Sequence, residues 1–277
     1  MHPYKIVDVF TDTPLEGNPA AVYTPGQDLS SERMQQVARE MNLSETVFVL
    51  PAESGGDARI RIFTPTSELP FAGHPTLGTA IVLGEPTQLE TIRLETGAGV
   101  VPVELERRDG RVVAGRMRQP IPTWQAYDRT DELLAAIGVG ASGLPVEIYQ
   151  NGPRHVYVEL ADEDTIAALE PDLTRLKTHD AGVNCFAGTG TKWKTRMFGP
   201  AMGVPEDPAT GSAAGPLAVH LARHGRIDFG QEIEIKQGAE IGRPSRLYAR
   251  AIGDGDQIDT VEVAGAAVVV AEGRLLA

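Results

Sequence analysis

The sequence predicts a mixed α/β fold, of the α+β kind, built from two similar lobes. Short strand-like segments alternate with apolar helix-like segments along the whole chain. Thirty glycines and 20 prolines among 277 residues favour many turns and short strands over a helical bundle. One run of elements also recurs in the second half of the chain, which is the pattern of an internal duplication.

The first half of the chain combines short strands with two predicted helices. One helix runs from about Ser30 to Met41, because Ser30 or Ser31 can cap it and Met34 and Val37 recur at helical spacing. The other is apolar and runs from Pro75 to about Leu83. The predicted strands are Ile6–Phe10, Ala20–Tyr23, Thr46–Leu50, Arg59–Thr64, Ile92–Glu95, Val100–Glu106 and Val112–Met117.

A proline-rich connector at Gln119–Trp124 is predicted to join the two lobes. Beyond it, helices are predicted at Glu163–Leu176 and in a segment that ends near Arg223. We place an N-terminal lobe at residues 1–118, with the last strand (about 260–277) as a candidate addition to it. A C-terminal lobe takes residues 119–277, and the active site is predicted in the cleft between the lobes. The predicted strands of this half are Val146–Tyr149, Val156–Glu159, Val183–Phe186, Lys194–Phe198 and about Thr260–Val270.

The duplication can be followed residue by residue. In both copies a strand and a loop lead to a glycine, and an apolar helix follows. The second copy contains three additional residues in its loop. The aligned pairs are Arg61–Pro65 with Arg196–Pro200, Pro70 with Pro205, and Gly73-His74 with Gly211-Ser212.

Each copy therefore predicts a helix start that could bind an anion. Glycine has no Cβ, so a ligand can approach the backbone closely. The next residue, His74 or Ser212, is expected at the N-cap position. The free N–H groups of a helix start carry a partial positive charge of about +0.5. Two such ends facing one cleft would bind a carboxylate, although either motif alone is explained equally well as an ordinary helix cap.

Charge and composition exclude several classes of protein. The formal net charge of −13 and the absence of a basic run argue against nucleic-acid binding. A small anionic substrate remains compatible, because a local site can override the overall field. The longest apolar run, Ala264–Ala271, is too short to span a bilayer of about 30 Å. With no signal peptide visible, we expect a soluble cytoplasmic protein without a membrane partner.

No motif indicates a metal or a nucleotide cofactor. Cys185 is the single cysteine, which excludes a multi-thiolate centre, and it is expected to be a small buried hydrophobe. His220 and His224 lie four apart, but the glutamate of a zinc protease is missing, so we expect them to complement the negative end of their helix. The segment Gly211–Gly215 lacks the G-x-S-x-G order of a hydrolase nucleophile.

Seven segments together resemble the PhzF family of phenazine biosynthesis, within the diaminopimelate-epimerase-like superfamily. They are EMNLSE, RIRIFTP, ELPFAGHP, QPIPTW, NGPRHV, NCFAG and EDPATGSAAGP, and the similarity extends nearly end to end. The resemblance implies two pseudo-symmetric lobes, each a mixed sheet curled around a central helix, and a homodimer without cofactor or metal. It also implies isomerisation of trans-2,3-dihydro-3-hydroxyanthranilate.

The resemblance assigns roles to six residues, which taken singly would be weak candidates. A lone glutamate beside a strand is more often a solvated charge, a lone histidine a cap or core residue, and an aspartate before proline a turn former. The superfamily's epimerases use two cysteines, and this chain has Ala72 and Pro208–Ala209 in those motifs, so two-thiol chemistry is excluded. The implied catalytic residues are Glu45, His74 and Asp207, and the implied substrate-binding residues are Gly73, Gly211 and Ser212.

The resulting hypothesis is a proton shift by one carboxyl group. Glu45 would move a proton from C3 of the substrate to C1 on the same face, while His74 and Asp207 orient its amino and hydroxyl groups. Ser212 and the N–H groups after the two glycines would hold the substrate carboxylate. Two alternatives stay open: a PhzF-like isomerase or epimerase for another small amino or hydroxy acid, and a non-catalytic protein that binds an aromatic carboxylate.

Overall fold

The computed structural model of the protein describes residues 1–26 and 28–276. In the first half, the elements are β1 (His2–Val9), β2 (Asn18–Tyr23), α1 (Ser31–Met41), β3 (Glu45–Leu50), β4 (Ala58–Phe63), β5 (Glu68–Leu69), α2 (Gly73–Gly84), β6 (Thr91–Thr96), β7 (Gly99–Arg108) and β8 (Arg111–Gln119). In the second half, they are β9 (Thr123–Ala126), α3 (Thr130–Ile137), β10 (Glu147–Gln150), β11 (Arg154–Glu159), α4 (Glu163–Ala167), α5 (Leu173–Leu176), β12 (Gly182–Thr189), β13 (Lys192–Gly199), β14 (Val204–Asp207), α6 (Gly211–Arg223), β15 (Ile233–Gln237), β16 (Ser245–Asp254) and β17 (Gln257–Leu275). Short 3₁₀ turns lie at Pro200–Met202 and Ala239–Ile241.

The strand pairings of the first half recur in the second half with the same order and direction. β1–β2 is antiparallel, β2–β3 parallel and β3–β4 antiparallel, and the same holds for β10–β11, β11–β12 and β12–β13. β4 pairs antiparallel with β5 and parallel with β6, as β13 does with β14 and β15. The antiparallel series β6–β7–β8 matches β15–β16–β17. The duplicated pattern in the sequence is therefore a duplicated topology.

Each half contains one buried apolar helix. Eleven of the twelve residues of α2 and twelve of the thirteen of α6 are buried. A helix that is apolar on all sides must be covered on all sides. α2 packs against strands of the first half, whereas α6 packs against β16 and β17, and the two helices contact each other. This packing holds the starts of both helices in fixed positions, and the site lies at those starts.

The long strand β17 joins the two halves. It pairs antiparallel with β16 of the second half and with β8 and β1 of the first. The sequence marks only about Thr260–Val270 as a strand, but the structure extends it to Gln257–Leu275. The division into lobes at residues 1–118 and 119–277 stays a prediction.

Two local predictions are wrong. The predicted helix Glu163–Leu176 is two short helices, α4 and α5, because Pro171 lies between them and disfavours helical backbone in the residue before it. Asp162 and Asp172 cap the two helices separately through their side chains. The predicted connector Gln119–Trp124 also contains strand residues at both ends, because β8 extends to Gln119 in its pairing with β17 and β9 pairs with β10.

Further elements have no counterpart in the sequence-based prediction: α3, β15 and β16 lie in segments that it leaves unassigned. No helix within the described residues is long and apolar enough to cross a membrane.

Candidate active site

The starts of α2 and α6 lie against each other. A Cβ atom on Gly73 would lie 2.5 Å from the carbonyl carbon of Gly211 and 2.6 Å from the backbone nitrogen of Ser212. A Cβ atom on Gly211 would lie 3.0 Å from the backbone nitrogen of His74. The two distances from Gly73 are too short for any side chain, and the distance from Gly211 would be tight. Glycine at both positions therefore lets the two helix starts meet this closely.

The predicted N-cap positions of His74 and Ser212 are wrong by two residues. The structure places the N-caps at Ala72 and Thr210, so that His74 and Ser212 are each the second residue of a helix. Neither N-cap side chain bonds the first turn of its helix. The backbone N–H of Thr76 donates to the Ala72 carbonyl and that of Ala213 to the Thr210 carbonyl. The first two N–H groups of each helix have no acceptor within the helix, so both helix starts keep donors for a ligand.

A cavity of about 260 Å³ lies in front of the two helix starts. Its apolar wall includes Leu69, Met197 and Met202, and its polar wall includes Thr64 and Ser67. The structure brings all the sequence-predicted site residues to this one cavity: Glu45, Gly73, His74, Asp207, Gly211 and Ser212 all line it.

Glu45 is not the solvated edge charge that its position beside a strand would suggest in isolation. It is the first residue of β3, and its side chain is 13% exposed. Its Oε2 lies 3.1 Å from Nε2 of His74, but the alignment is not that of a hydrogen bond, and neither atom has another partner among the described residues. Burial, and then the nearby charge of Asp207, raises the pKa of Glu45 well above its ordinary value.

His74 is buried as a neutral imidazole. Burial lowers its pKa to about 3, although a hydrogen bond to the backbone of Pro19 opposes the shift. Asn18 lies 3.3 Å from Nδ1, but both its amide hydrogens have better acceptors, Asp207 Oδ1 and Ala209 O, each at 2.9 Å. We therefore assign the ring proton to Nδ1, facing Pro19, which leaves Nε2 unprotonated beside Glu45.

Asp207, the last residue of β14, is the better stabilised of the two carboxyl groups. Burial raises its pKa, but hydrogen bonds from Thr210, Asn18 and Ser44 oppose that shift. Thr210 Oγ1 donates to Oδ2 at 2.5 Å, and Asn18 donates to Oδ1. Because these donors favour the ionised form and Glu45 has none, a single proton shared by the pair resides on Glu45.

Three polar residues that sequence reasoning missed bond to the start of α6, and one of them, His155, also lines the cavity. His155 Nε2 lies 3.0 Å from the hydroxyl oxygen of Ser212, and Asn151 donates to the backbone carbonyl of Ser212 at 3.1 Å. Gln119 donates to the backbone carbonyl of Gly211 at 2.7 Å. One signal existed: Asn151 and His155 both belong to the segment NGPRHV, directly before the predicted strand Val156–Glu159.

Residues 7–273 match the PhzC-PhzF family, described as phenazine biosynthesis-like protein. The chain belongs to this family. It is 59% identical to trans-2,3-dihydro-3-hydroxyanthranilate isomerase of Pseudomonas aeruginosa, over 99% of both chains. The resemblance stated from the sequence and the prediction of an intramolecular isomerase are thereby confirmed.

Solved structures confirm the predicted fold class. A PhzF-family phenazine biosynthesis protein of Bacillus anthracis superimposes with a TM-score of 0.87 at 26% identity, covering 100% of this chain and 99% of the other. A hydroxyproline epimerase of Agrobacterium vitis matches with a TM-score of 0.67 at 15% identity, over 99% and 90% of the two chains. The second likeness shows a shared fold and nothing about activity.

Outside the PhzF-family cavity, one group of three described residues has metal-ligand character. Ligand atoms of Glu147, His220 and His224 lie within 4.8 Å of one another. Arg223 already donates to Glu147 Oε2 at 2.8 Å while its guanidinium lies over the ring of Trp124 at 4.3 Å. A cation there would meet a carboxylate whose charge is balanced by a fixed guanidinium, which disfavours a metal. Burial also lowers the pKa of His220, so the expectation that it complements the helix end as a cation is wrong.

Proposed function

We propose that this PhzF-family protein isomerises trans-2,3-dihydro-3-hydroxyanthranilate without a cofactor, Glu45 carrying the proton from C3 to C1. The C3–H bond breaks, a C1–H bond forms and the double bonds shift between them, so the reaction needs no oxidant or reductant. The observation that carries the proposal is a buried carboxyl group whose free Oε2 lies at a cavity formed by two helix starts.

The raised pKa of Glu45 suits a group that must both take and return a proton. A carboxyl group with an ordinary pKa is a weak base at neutral pH, and one that never ionises cannot accept a proton. Burial raises the pKa of Glu45 away from the first limit, and the unprotonated Nε2 of His74 lies 3.1 Å from its Oε2. General acid–base catalysis of this kind contributes roughly 10²–10⁴-fold to the rate.

The two helix starts supply a binding site for the substrate carboxylate. The free N–H groups after Gly73 and Gly211, together with the Ser212 hydroxyl, can donate to it despite the protein's net charge of −13. Asp207, favoured in its ionised form, can accept from the substrate amino group, and His74 can orient the hydroxyl group. Holding C3 and C1 over one carboxyl group supports catalysis through positioning, which can contribute up to about 7–11 kcal/mol.

The remaining expectations belong to the same proposal: a small anionic substrate, a homodimer, a cytoplasmic location and no bound metal. None of them alters the assignment of the six site residues.

The proposal is tested by following turnover of the substrate in deuterium oxide with the wild type and Glu45→Gln. We expect the wild type to keep at least part of the C3 protium of the substrate at C1, because Glu45 carries that same proton, and turnover by the variant to fall by about 10²–10⁴-fold. Binding of 3-hydroxyanthranilate, which resembles the substrate, should change less than about threefold, because Gln keeps the shape of the side chain. Glu40→Gln, on the exposed face of α1, is the matched control and should match the wild type. Equal turnover by Glu45→Gln would remove Glu45 from its role.

A further inference from the structure

We propose that His155 is a positioning residue that fixes the direction of the Ser212 hydroxyl group. Its ring donates to the Ser212 oxygen, so that the hydroxyl hydrogen of Ser212 points into the cavity. The inference deepens the proposed function and rests on its assignment of Ser212 to the substrate carboxylate.

The backbone and one glycine hold the His155 ring in place. His155 is the second residue of β11, is 1% exposed, and pairs in parallel register with Gly182 of β12. A Cβ atom on Gly182 would lie 2.9 Å from His155 Nδ1. The ring therefore fills the space that Gly182 leaves, and its Nε2 lies 3.0 Å from the Ser212 oxygen. A ring held on this side has little freedom to turn away from Ser212.

The neighbour of the other ring nitrogen decides where the proton lies. The side-chain amide nitrogen of Asn184 lies 3.3 Å from Nδ1 of His155. The same nitrogen lies 3.4 Å from the backbone carbonyl oxygen of Gly182 and 3.5 Å from that of Val156. Because carbonyl oxygens only accept hydrogen bonds, the NH₂ group of the Asn184 amide, and not its oxygen, faces them and Nδ1 of His155. A protonated Nδ1 would point its hydrogen at another donor. The neutral ring therefore carries its hydrogen on Nε2.

Burial keeps the ring in this neutral form at physiological pH, because it lowers the pKa of His155 to about 3. With Nε2 as donor, Ser212 accepts from His155, and its own hydrogen remains available to the cavity. With the opposite tautomer, Ser212 would donate to His155 and present only lone pairs to the cavity. Lone pairs repel a carboxylate, so the position of one ring proton decides whether Ser212 helps or opposes binding of an anion.

The first test compares two probes that differ only in the carboxylate: 3-hydroxyanthranilate and 2-aminophenol. His155→Leu should weaken binding of 3-hydroxyanthranilate by about 5- to 50-fold, as expected for loss of one hydrogen bond to a charged group. Binding of 2-aminophenol should change less than about twofold. His155→Gln, whose amide can donate near the position of Nε2, should restore most of the lost affinity. Equal losses for both probes, or no loss for either, would overturn the proposal.

The second test observes the tautomer directly in the wild-type protein. Nitrogen-15 NMR of the imidazole ring should show the His155 proton on Nε2, with Nδ1 bare, from pH 5 to pH 8. A proton on Nδ1 would overturn the inference whatever the substrate is. If the wild type binds neither probe, the proposed function fails, and the NMR result alone then decides the proposal about His155.

Discussion

The starts of α2 and α6 have the same backbone design but serve different chemistry. Each begins with a glycine at the point of contact, and neither has a side-chain cap. The carboxyl group of Glu45 lies beside His74 at the start of α2. At the start of α6, the neutral side chains of His155 and Asn151 bond to Ser212, and Asp207 accepts from the N-cap residue Thr210. Under the proposed function, the duplication preserved a pair of helix starts that binds the substrate carboxylate, and the side chains around them divide proton transfer from positioning.

The two buried histidines of the cavity make the same contrast. Burial lowers the pKa of both His74 and His155 to about 3, so both rings are neutral at pH 7. The backbone of Pro19 faces one ring as an acceptor and raises its pKa, whereas the amide nitrogen of Asn184 lies 3.3 Å from Nδ1 of the other. Nε2 is therefore an acceptor beside Glu45 and a donor beside Ser212. A single backbone or amide neighbour sets the opposite polarity of two otherwise similar rings.

The largest expected effect comes from closing the contact between the helix starts. In Gly73→Ala the new methyl group would lie 2.5 Å from the backbone of Gly211, and a backbone atom cannot move away without shifting α6. We expect turnover to fall by more than 100-fold and the free energy of unfolding to fall by about 1–3 kcal/mol. Enzyme assays and urea unfolding measure the two quantities.

The matching change on the other helix should be milder. In Gly211→Ala the methyl group would meet the edge of the Phe10 ring at 2.9 Å and the His74 nitrogen at 3.0 Å. A ring edge can adjust more easily than a backbone, so the losses should be smaller than for Gly73→Ala. Gly140→Ala, where a Cβ atom would meet nothing within 4 Å, is the control. If Gly211→Ala lowered turnover and stability more than Gly73→Ala, the backbone of Gly211 would not be the obstacle that makes a side chain at Gly73 so unfavourable.

The next largest effect separates catalysis from binding. Ser212→Ala should weaken binding of 3-hydroxyanthranilate by about 1–3 kcal/mol, because a buried hydrogen bond to a charged group is lost. The rate from bound substrate should change less.

His74→Gln should lower kcat by about 10- to 100-fold with little change in KM, because the ring acts beside Glu45. Steady-state kinetics measures kcat and KM for both variants. If both Ser212→Ala and His74→Gln changed only KM, the assignment of binding to Ser212 and of catalysis to His74 would be wrong.

The repeated fold was predictable because its signals are local. The alternating Arg59–Thr64 segment, the glycine before each apolar helix and the Ser30 cap each act over a few residues. The Ser30 side chain indeed accepts from the backbone N–H of Arg33, as capping requires. The positions of Glu45, His74 and Asp207 were reached through the family resemblance, since none is distinctive alone.

The polar partners of the site could not be predicted, because their signals are not local. Asn18 bonds Asp207, which lies 189 residues further along the chain, and His155 meets Ser212 across 57 residues. Before the strands are paired, such residues look like ordinary polar positions at the edges of strands. The predicted N-cap positions were wrong for a different reason. A local sequence pattern locates the start of a helix only to within one or two residues, and the error here was two residues.

The smallest expected effect is a change in how stability depends on pH. The folded-state pKa of Glu45 is raised, so the folded protein holds a proton that the unfolded chain releases above its ordinary pKa of about 4.5. The stabilisation by this proton is complete below that value and is lost as the pH rises through the folded-state pKa. Glu45→Gln removes this loss. The free energy of unfolding of the variant minus that of the wild type should therefore increase with pH, by at most about 1.4 kcal/mol per pH unit.

Urea unfolding of both proteins between pH 5 and pH 9 measures this difference. Glu40→Gln, the exposed control on α1, should give a curve parallel to that of the wild type. A parallel curve for Glu45→Gln would mean that Glu45 titrates normally, and the α2 side of the cavity would then lack the property that distinguishes it from the α6 side. The opposite slope would mean that Glu45 is stabilised as an anion, which would make it a poor base for the proton at C3.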